Sequence, residues 1–117
     1  MMEKKWNWVK KGKIFESDDS FSWSQTHTQL PVPCLINKDT LRIYYSSRDS
    51  ESRSRISYVD VNPDNPSEVL YMHPEPVMDI GELGTFDDVG TIAAHMLKVS
   101  DQLYLYYNGY NLSLIHI

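Results

Sequence analysis

The chain has 117 residues, of which 41% are apolar and 12% aromatic, a composition typical of a globular domain and not of a disordered one. Its net charge of -5 argues against nucleic acid and anionic membranes as partners. The single cysteine, Cys34, excludes an internal disulfide and a cysteine-based zinc site, and its apolar neighbours predict a small buried side chain. The histidines share no metal-ligand spacing, so no metal or cofactor is predicted. No apolar run reaches the length of a signal-peptide core or a membrane span, and we expect a cytoplasmic protein.

The first half of the chain predicts a strand followed by a hairpin. Residues 6–15 are aromatic and basic and are interpreted as one strand. Leu30–Ile36 is an apolar run with two prolines, which exclude a regular helix and predict a strand with irregular hydrogen bonding. Asn37–Thr40 is typical of a tight turn, and Leu41–Ser46 is rich in the β-branched and aromatic residues of strands.

The middle of the chain adds further strands separated by polar loops. Arg48–Arg55 is polar, and Ile56–Val61 then alternates as a strand requires. The loop Asn62–Pro66 leads to a fourth strand at Val69–Met72, and Val77–Ile80 follows two more prolines. No segment shows a capped helical period, so the sequence predicts an all-β fold with antiparallel hairpins throughout.

One hairpin sequence occurs twice. Leu35–Asp49 aligns without a gap with Leu97–Asn111 when it is shifted by 62 residues, and the stretch Gly84–Gly90 precedes the second copy. The identical pairs are Leu35/Leu97, Asp39/Asp101, Leu41/Leu103, Tyr44/Tyr106 and Tyr45/Tyr107. Internal repetition at a fixed period is the sequence signature of a repeat architecture.

A repeat of about sixty residues with four strands matches a β-propeller blade with long loops. We therefore predict a partial propeller over residues 1–111, with a first blade at 25–80 and the start of a second at 84–111. Residues 6–15 are interpreted as the outer edge strand of a final blade that the chain lacks. Residues 112–117 resemble translated sequencing-adapter read-through and are predicted to be non-native.

The alternative architecture is a β-sandwich whose hairpins resemble each other by chance. In the propeller interpretation, the hairpin tyrosines together with Trp6, Trp8 and Trp23 form core between blades. Repeat arrays need about three or more units for stability, so a chain this short is expected to expose apolar blade faces.

Two motifs resemble a known superfamily. They are Thr26–Pro31 at the first inner strand and Gly81–Gly90, which reads Gly-Glu-Leu-Gly-Thr-Phe-Asp-Asp-Val-Gly, at the second. Over residues 5–111 the chain resembles the N-terminal part of the five-bladed propellers of the arabinanase, levansucrase and invertase superfamily of glycoside hydrolases, in particular an uncharacterised bacterial subgroup. The resemblance implies a truncated five-bladed propeller made of antiparallel four-stranded blades.

The resemblance also implies a carboxylate at the channel mouth. Glycoside hydrolysis uses a pair of carboxyl groups, often tuned by a third. In the superfamily they sit near the starts of the innermost strands, where this chain has Asp87 and Asp88. Successive side chains of a strand point to opposite faces, which favours Asp88 as the catalytic, supporting carboxylate and leaves Asp87 as a substrate contact. The alternative is that the pair caps its turn by bonding backbone amides.

The first unit departs from the hydrolase pattern. Gln25–Gln29 carries no carboxylate where the enzymes have an aspartate. His27 and Gln29 are predicted to bind sugar hydroxyls, and His27 is also a candidate base. The alternative is that both side chains satisfy buried backbone groups near the prolines.

Four more substrate-binding residues are predicted from the hairpin ends. The second strand of each hairpin returns to the end where the first began, which places Arg48, Asp49, Asn108 and Tyr110 beside His27 and Asp88. Arg, Asp, Asn and Tyr together suit a polyhydroxylated or acidic sugar. The alternative is a weak loop pair of Arg48 with Asp49. Three neighbouring charges are interpreted as solvated: Glu51, Arg53 and Arg55.

Carbohydrate is therefore the expected partner. The first hypothesis is a glycosidase-like hydrolase of which this chain is an inactive fragment. The alternatives are a noncatalytic glycan-binding propeller in surface-polysaccharide metabolism, favoured by the missing first carboxylate, and a propeller scaffold that binds proteins.

Overall fold

A computed structural model of the protein describes residues 6–18 and 20–111, and within them it contains six strands and no helix. The strands are β1 (Thr26–Asn37), β2 (Thr40–Arg48), β3 (Ser54–Val61), β4 (Val69–Met72), β5 (Gly90–Val99) and β6 (Gln102–Tyr110). The predicted all-β class is confirmed. The prediction for 112–117 lies outside the described residues.

The strands form one mixed six-stranded sheet in the order β1-β2-β3-β5-β6, and β4 also pairs with β3. Strands β1 to β4 are antiparallel neighbours in sequence order. Strand β5 pairs with β3 in parallel through one residue pair, Ser54 with Gly90. The expectation of antiparallel pairing throughout is therefore wrong. Because β4 occupies only the Val59–Val61 end of β3, the edge at Ser54 is open for β5 to join.

Most predicted strands lie where the sequence places them. Leu30–Ile36, Leu41–Ser46 and Ile56–Val61 fall inside longer strands, and Val69–Met72 matches β4. Val77–Ile80 forms no strand and makes only an isolated bridge between Met78 and Ile56.

Residues 6–15 form no strand in this chain. Ile14 and Phe15 nevertheless pack against the buried side chains Tyr45 and Val59. The role of this segment as an edge strand concerns a blade that lies outside the chain, and it stays a prediction.

The repeated sequence forms two equivalent hairpins. Strands β2 and β6 have matching ends, because the 62-residue shift carries Thr40 to Gln102 and Arg48 to Tyr110. Both hairpins close through a two-residue turn, between the pairs Asn37–Thr40 and Val99–Gln102. In both cases this turn contains the repeated aspartate.

Strand β1 is irregular near its prolines, as predicted. Its register with β2 shifts on either side of Gln29, and His27 and Leu30 have φ values of 60° and 54°. Left-handed backbone is uncommon for residues other than glycine and marks bulges here. Proline lacks an N–H donor, so a strand with Pro31 cannot keep an unbroken ladder.

Two apolar clusters cover opposite faces of β2 and β3. Tyr44 and Ile56 meet Ala93 of β5 in the first cluster, which lies between the β1–β3 strands and the β5–β6 hairpin. Tyr45 and Val59 belong to the second cluster. Adjacent tyrosines serve opposite faces because side chains alternate along a strand.

Some of the aromatic residues predicted as core are buried and others are exposed, and their place between blades stays a prediction. Tyr44 and Tyr45 are buried, whereas Tyr104 and Tyr106 are exposed. Trp6 and Trp8 are also exposed, and Trp23 is half-buried with its indole N–H donating to the Pro74 carbonyl at 3.0 Å. Tyr106 alternates along β6 with Leu105 and Tyr107, which pack against the first cluster, so its ring lies on the opposite face of the strand.

The first cluster is expected to carry much of the stability. Ile56→Ala should lower the free energy of unfolding by about 2–5 kcal/mol, because Ile56 is 0% exposed and its loss leaves a cavity. Leu70→Ala, at 48% exposure, is the control and should change it by less than about 1 kcal/mol. Urea denaturation followed by circular dichroism measures both; equal losses would contradict this account of the core.

Candidate functional site

A continuous row of paired residues runs across one end of the sheet. Thr26 pairs with Arg48, Arg48 with Ser54, Ser54 with Gly90, and Gly90 with Tyr110. The row therefore contains one residue from each of five strands at the same end of the sheet, with neighbouring strands about 4.8 Å apart. Arg48 and Tyr110 both belong to this row, three strand spacings apart, and their predicted convergence at a channel mouth stays a prediction.

Hydrogen bonds at Ser54 fix the centre of this row. The Ser54 amide donates to the Val89 carbonyl at 3.1 Å, and its hydroxyl donates to the Thr91 carbonyl at 3.2 Å. The Val89 amide donates in turn to the Tyr110 carbonyl at 3.2 Å. Ser54 and Thr91 are both fully buried. The start of β5 is therefore held from both sides.

The residues before β5 form a closed turn, residues 81–90, which we call the acidic turn. The Gly81 amide donates to the Asp87 carbonyl at 2.9 Å, and the Gly84 amide donates to Asp88 Oδ2 at 2.8 Å. Gly84 has a φ of 96°, a conformation that favours glycine. The acidic turn thus has a defined shape set by its own backbone and by both aspartates.

Asp87 is the inner aspartate of the acidic turn. It is 8% exposed, and its carboxylate accepts hydrogen bonds from the Thr85 hydroxyl at 3.1 Å and the Tyr107 hydroxyl at 3.4 Å. Burial and the adjacent Asp87 carboxylate raise the pKa of Tyr107. The carboxylate of Asp87 therefore braces the acidic turn against β6, and its predicted contact with substrate stays a prediction.

Only one of the two carboxylate oxygens of Asp88 accepts a hydrogen bond within the described residues. Its Oδ2 atom accepts from the Gly84 amide, which agrees with the alternative that the aspartate pair caps its turn. Its Oδ1 atom is buried without a hydrogen-bond partner among the described residues. Arg48 Nε is in the same state within that part of the chain. A buried polar atom without a hydrogen-bond partner lowers the free energy of unfolding by about 1–3 kcal/mol. Two such atoms at the same end of the sheet are unusual for a purely structural region.

His27 and Gln29 lie apart from the acidic turn. His27 is exposed, its Nδ1 is 2.9 Å from Thr26 Oγ1, and it lines a cavity of about 350 Å³ beside Lys13 and Glu16. Gln29 lines a different cavity, of about 220 Å³. Strands β2 and β3 separate Thr26 from Gly90, about three strand spacings or 14 Å along the sheet. His27 and Asp88 are therefore not placed to act on the same atom.

Asp49 organises the loop between β2 and β3. Its carboxylate accepts from the amides of Glu51 and Arg53 and from the guanidinium groups of Arg53 and Arg55, at 2.7 to 3.0 Å. Burial acts to raise its pKa, but the hydrogen bonds from Arg55, Arg53 and Glu51 together outweigh it and lower the pKa to about 2. The partners of Asp49 are thus Arg53 and Arg55, and not Arg48.

The interpretation of Arg55 as a solvated charge is wrong. Its side chain is 13% exposed and bridges Asp49 and Asp79 at 2.7 Å each, so it is not a solvated loop charge. Glu51 and Arg53 are more exposed, in agreement with the sequence. Asp79 is 24 residues away from Arg55 in the chain, so a local charge pattern does not reveal this partner.

The two remaining predicted residues lie on β6. Asn108 is exposed and pairs with Ile92 two positions inside the row. The Tyr110 ring covers Gly90 so closely that a Cβ atom there would overlap it. Tyr110 therefore forms an aromatic cover over the row, next to the acidic turn.

Some important residues carry no signal in the sequence. A hydroxyl network joins the N-terminal segment to β1 and β2: Ser24 Oγ lies 2.8 Å from Ser47 Oγ, and the Thr28 hydroxyl donates to Ser17 Oγ at 2.8 Å. Ser54 and Thr91 hold the row together. Serine and threonine are common in loops, so only burial in the fold distinguishes the four buried ones, which are Ser24, Ser47, Ser54 and Thr91.

Residues 6–18 and 20–111 contain no group of three or more His, Cys, Asp or Glu side chains arranged to hold a metal ion. Within the same ranges, no helix has the length and apolarity required to cross a bilayer.

Comparison with known proteins gives two relatives from Mycobacterium tuberculosis. The chain is 39% identical over 106 residues to "Uncharacterized protein Rv1502" of strain H37Rv and to "Uncharacterized protein MT1551" of strain CDC 1551 / Oshkosh. The aligned region covers 91% of this chain and 36% of each relative, so the chain spans about a third of their length. No protein-family model and no solved structure matches the chain.

Asp49 should make stability depend on acid pH. Because its folded pKa of about 2 lies below the ordinary value of 3.8, its stabilisation, on the order of 2 kcal/mol, is complete above about pH 4 and is lost as the pH falls toward 2. Asp49→Asn should therefore be less stable than the unmodified chain at pH 6, and the gap should close near pH 2. Urea midpoints at several pH values measure this, and a gap independent of pH would contradict it.

Gly109→Ala should distort the acidic turn. An added Cβ would lie 2.5 Å from Asp87 Cβ and from the Phe86 ring, and overpacking of this kind costs about 1–3 kcal/mol. Asn108→Ala, at the exposed neighbouring position, is the control and should change stability little. Thermal unfolding measures both variants; a Gly109→Ala protein as stable as the control would show that Asp87 does not pack there.

Proposed function

We propose that the protein is the N-terminal part of a five-bladed β-propeller that acts on carbohydrate as a glycosidase-like hydrolase. The architecture is supported by two equivalent hairpins at a 62-residue shift, packed face to face through Tyr44, Ile56 and Ala93. Strands β1 to β4 form an antiparallel meander of four strands, the number in one blade, and β5 and β6 would begin the next.

The single observation that carries the carbohydrate proposal is the buried Oδ1 atom of Asp88, which has no hydrogen-bond partner among residues 6–18 and 20–111. It belongs to the acidic turn at the start of β5, two residues before the row that contains Arg48 and Tyr110. A carboxylate oxygen accepts from sugar hydroxyls, a guanidinium group donates to them, and an aromatic face stacks on a sugar ring. These three groups are the kinds that a polyhydroxylated ligand requires.

The hydrolytic role assigns Asp88 a supporting task. Cleavage of a glycosidic bond uses two carboxyl groups about 5 to 9.5 Å apart. Asp87 is bonded within the acidic turn and Asp49 is paired with two arginines, so neither is free to serve as the partner of Asp88. The proton donor and the nucleophile or base would come from further blades. Asp88 would orient the substrate and tune their pKa values.

A noncatalytic glycan-binding propeller is the second candidate, and one observation favours it. The start of β1, where the hydrolases carry an aspartate, has Thr26 and the exposed His27. With no carboxylate there, the first blade would supply only hydrogen-bonding groups. The two candidates share Asp88 and Arg48 as ligand contacts and differ in whether a bond is broken.

Binding of this chain to a panel of soluble polysaccharides, measured by isothermal titration calorimetry, tests the shared part. Asp88→Asn and Arg48→Ala should each weaken binding about tenfold or more, because each removes a hydrogen bond to a charged group. Asp101→Asn, at the exposed hairpin turn, is the matched control and should bind normally. Absence of binding, or equal binding by Asp88→Asn and Asp101→Asn, would refute the carbohydrate proposal.

A longer protein that contains this chain distinguishes the two candidates. Release of reducing ends from the bound polysaccharide, lost in Asp88→Asn, would identify a hydrolase. Binding without release of reducing ends would identify the noncatalytic form.

A further inference from the structure

A further cavity lies among the segments that precede β1, connect β2 to β3 and precede β5. Its volume is about 350 Å³, and we call it the loop cavity. The strands that flank it, β2, β3 and β5, are all among the described residues. Its lining combines one aromatic ring with charged and hydroxyl groups, and it includes Trp23, Asp49, Ser50, Arg53, Arg55 and Asp79.

Trp23 has a fixed position on the wall of the loop cavity. Its ring stacks on Phe21, with the centroids 5.6 Å apart and the planes 6° apart. Its indole N–H donates to the Pro74 carbonyl at 3.0 Å. The side chain is only half-buried, so part of the ring is open toward the cavity. A ring that is already held in place loses little conformational freedom when a ligand stacks on it.

Arg55 connects the two polar sides of the loop cavity. Its guanidinium group donates to Asp49, in the loop after β2, and to Asp79, in the segment before β5, at 2.7 Å each. Arg53 donates to Asp49 as well, at 2.9 Å. The two carboxylates and two guanidinium groups of the lining are therefore paired with one another.

This pairing favours an uncharged ligand. A charged ligand would have to replace a partner in one of the ion pairs, and it would leave a charge of the protein without its counter-ion. A neutral hydroxylated ligand leaves the pairs intact, because a guanidinium group has five N–H donors and a carboxylate can accept about four hydrogen bonds. Asp79, whose side chain is 69% exposed, is the most accessible acceptor of the four charged groups.

We infer that the loop cavity is a sugar-binding subsite that accepts one neutral sugar residue. The apolar face of the sugar ring would stack on Trp23, and its hydroxyl groups would donate to Asp79 and accept from Arg53. The inference rests on the proposal that the ligand is carbohydrate, and it adds a second place of contact and the class of sugar.

The position of the loop cavity agrees with this role. Asp49 directly follows Arg48, and Arg53 directly precedes Ser54, and Arg48 and Ser54 pair with each other in the row at the end of the sheet. Gly90, two residues after Asp88, is the next member of that row. A polysaccharide that contacts Asp88 and Arg48 would therefore continue into the loop cavity.

Isothermal titration calorimetry of the 117-residue chain tests the inference. The neutral probes are dextran, mannan and arabinan, and the acidic probes are alginate and polygalacturonate. At least one neutral probe should bind, and more tightly than either acidic probe. Trp23→Ala should weaken this binding about tenfold, because it removes the stacking surface.

Ser50→Tyr provides a second variant that does not depend on the packing of Trp23. Ser50 is exposed and lines the loop cavity, so a tyrosine there should fill the cavity without breaking an ion pair, and binding should again fall about tenfold. Ser67→Tyr, at an exposed loop position outside the lining, is the matched control and should bind like the unmodified chain. Circular dichroism of the three variants shows whether each is folded.

The outcomes separate this subsite from the proposed contact at Asp88. Binding that is weakened by Asp88→Asn but equal in Ser50→Tyr and Ser67→Tyr would overturn the subsite and leave the carbohydrate proposal intact. Binding that is weakened by Ser50→Tyr but not by Asp88→Asn would support the subsite and overturn the contact at Asp88. Tighter binding of an acidic probe would overturn the choice of a neutral sugar, and absence of binding to every probe would overturn both proposals.

Discussion

The hydrogen bonds of Ser54 are the constraint on which the rest of the structure depends. Ser54 is fully buried and binds the Val89 and Thr91 carbonyls, while Gly90 is the one residue of β5 that pairs with β3. This link is the backbone pairing that joins β5 to β3. With it, the acidic turn is fixed at the end of the sheet where Arg48 lies, with β3 between β5 and β2.

The same region contains polar groups that do not contribute fully to stability. Asp49 and Arg55 form an ion pair at 2.7 Å, whereas Asp88 Oδ1 and Arg48 Nε are buried with no hydrogen-bond partner in the described part of the chain. A folded protein usually satisfies its buried polar atoms, and local exceptions to this rule are concentrated at functional sites. This contrast is the physical reason for proposing ligand contacts at Asp88 and Arg48 and a structural role for Asp49. Arg48 and Asp49 are adjacent in sequence, and only their hydrogen-bond partners in the fold distinguish the two.

The sequence predicts local features well because they depend on near neighbours. The hairpin of β1 and β2 follows from alternating apolar residues and the turn after Asn37, and its copy follows from the repeat. The parallel contact of Ser54 with Gly90 could not be predicted, since a single pair leaves no periodic pattern. Burial of Arg55 likewise depends on Asp79, from a distant loop. Separation of His27 from Asp88 follows from strand order in the sheet, which hairpin sequences alone do not specify.

Amide hydrogen exchange at Ser54, followed by NMR, tests the central claim most directly. That claim is that the Ser54 link joins the two hairpins into one sheet and positions the acidic turn. The amide of Ser54 donates to the Val89 carbonyl in a fully buried site, so it should exchange as slowly as the amides of the β2–β3 ladder, which open only with the core. Exchange of Ser54 at the rate of the exposed loop residues, while that ladder stays protected, would contradict the account.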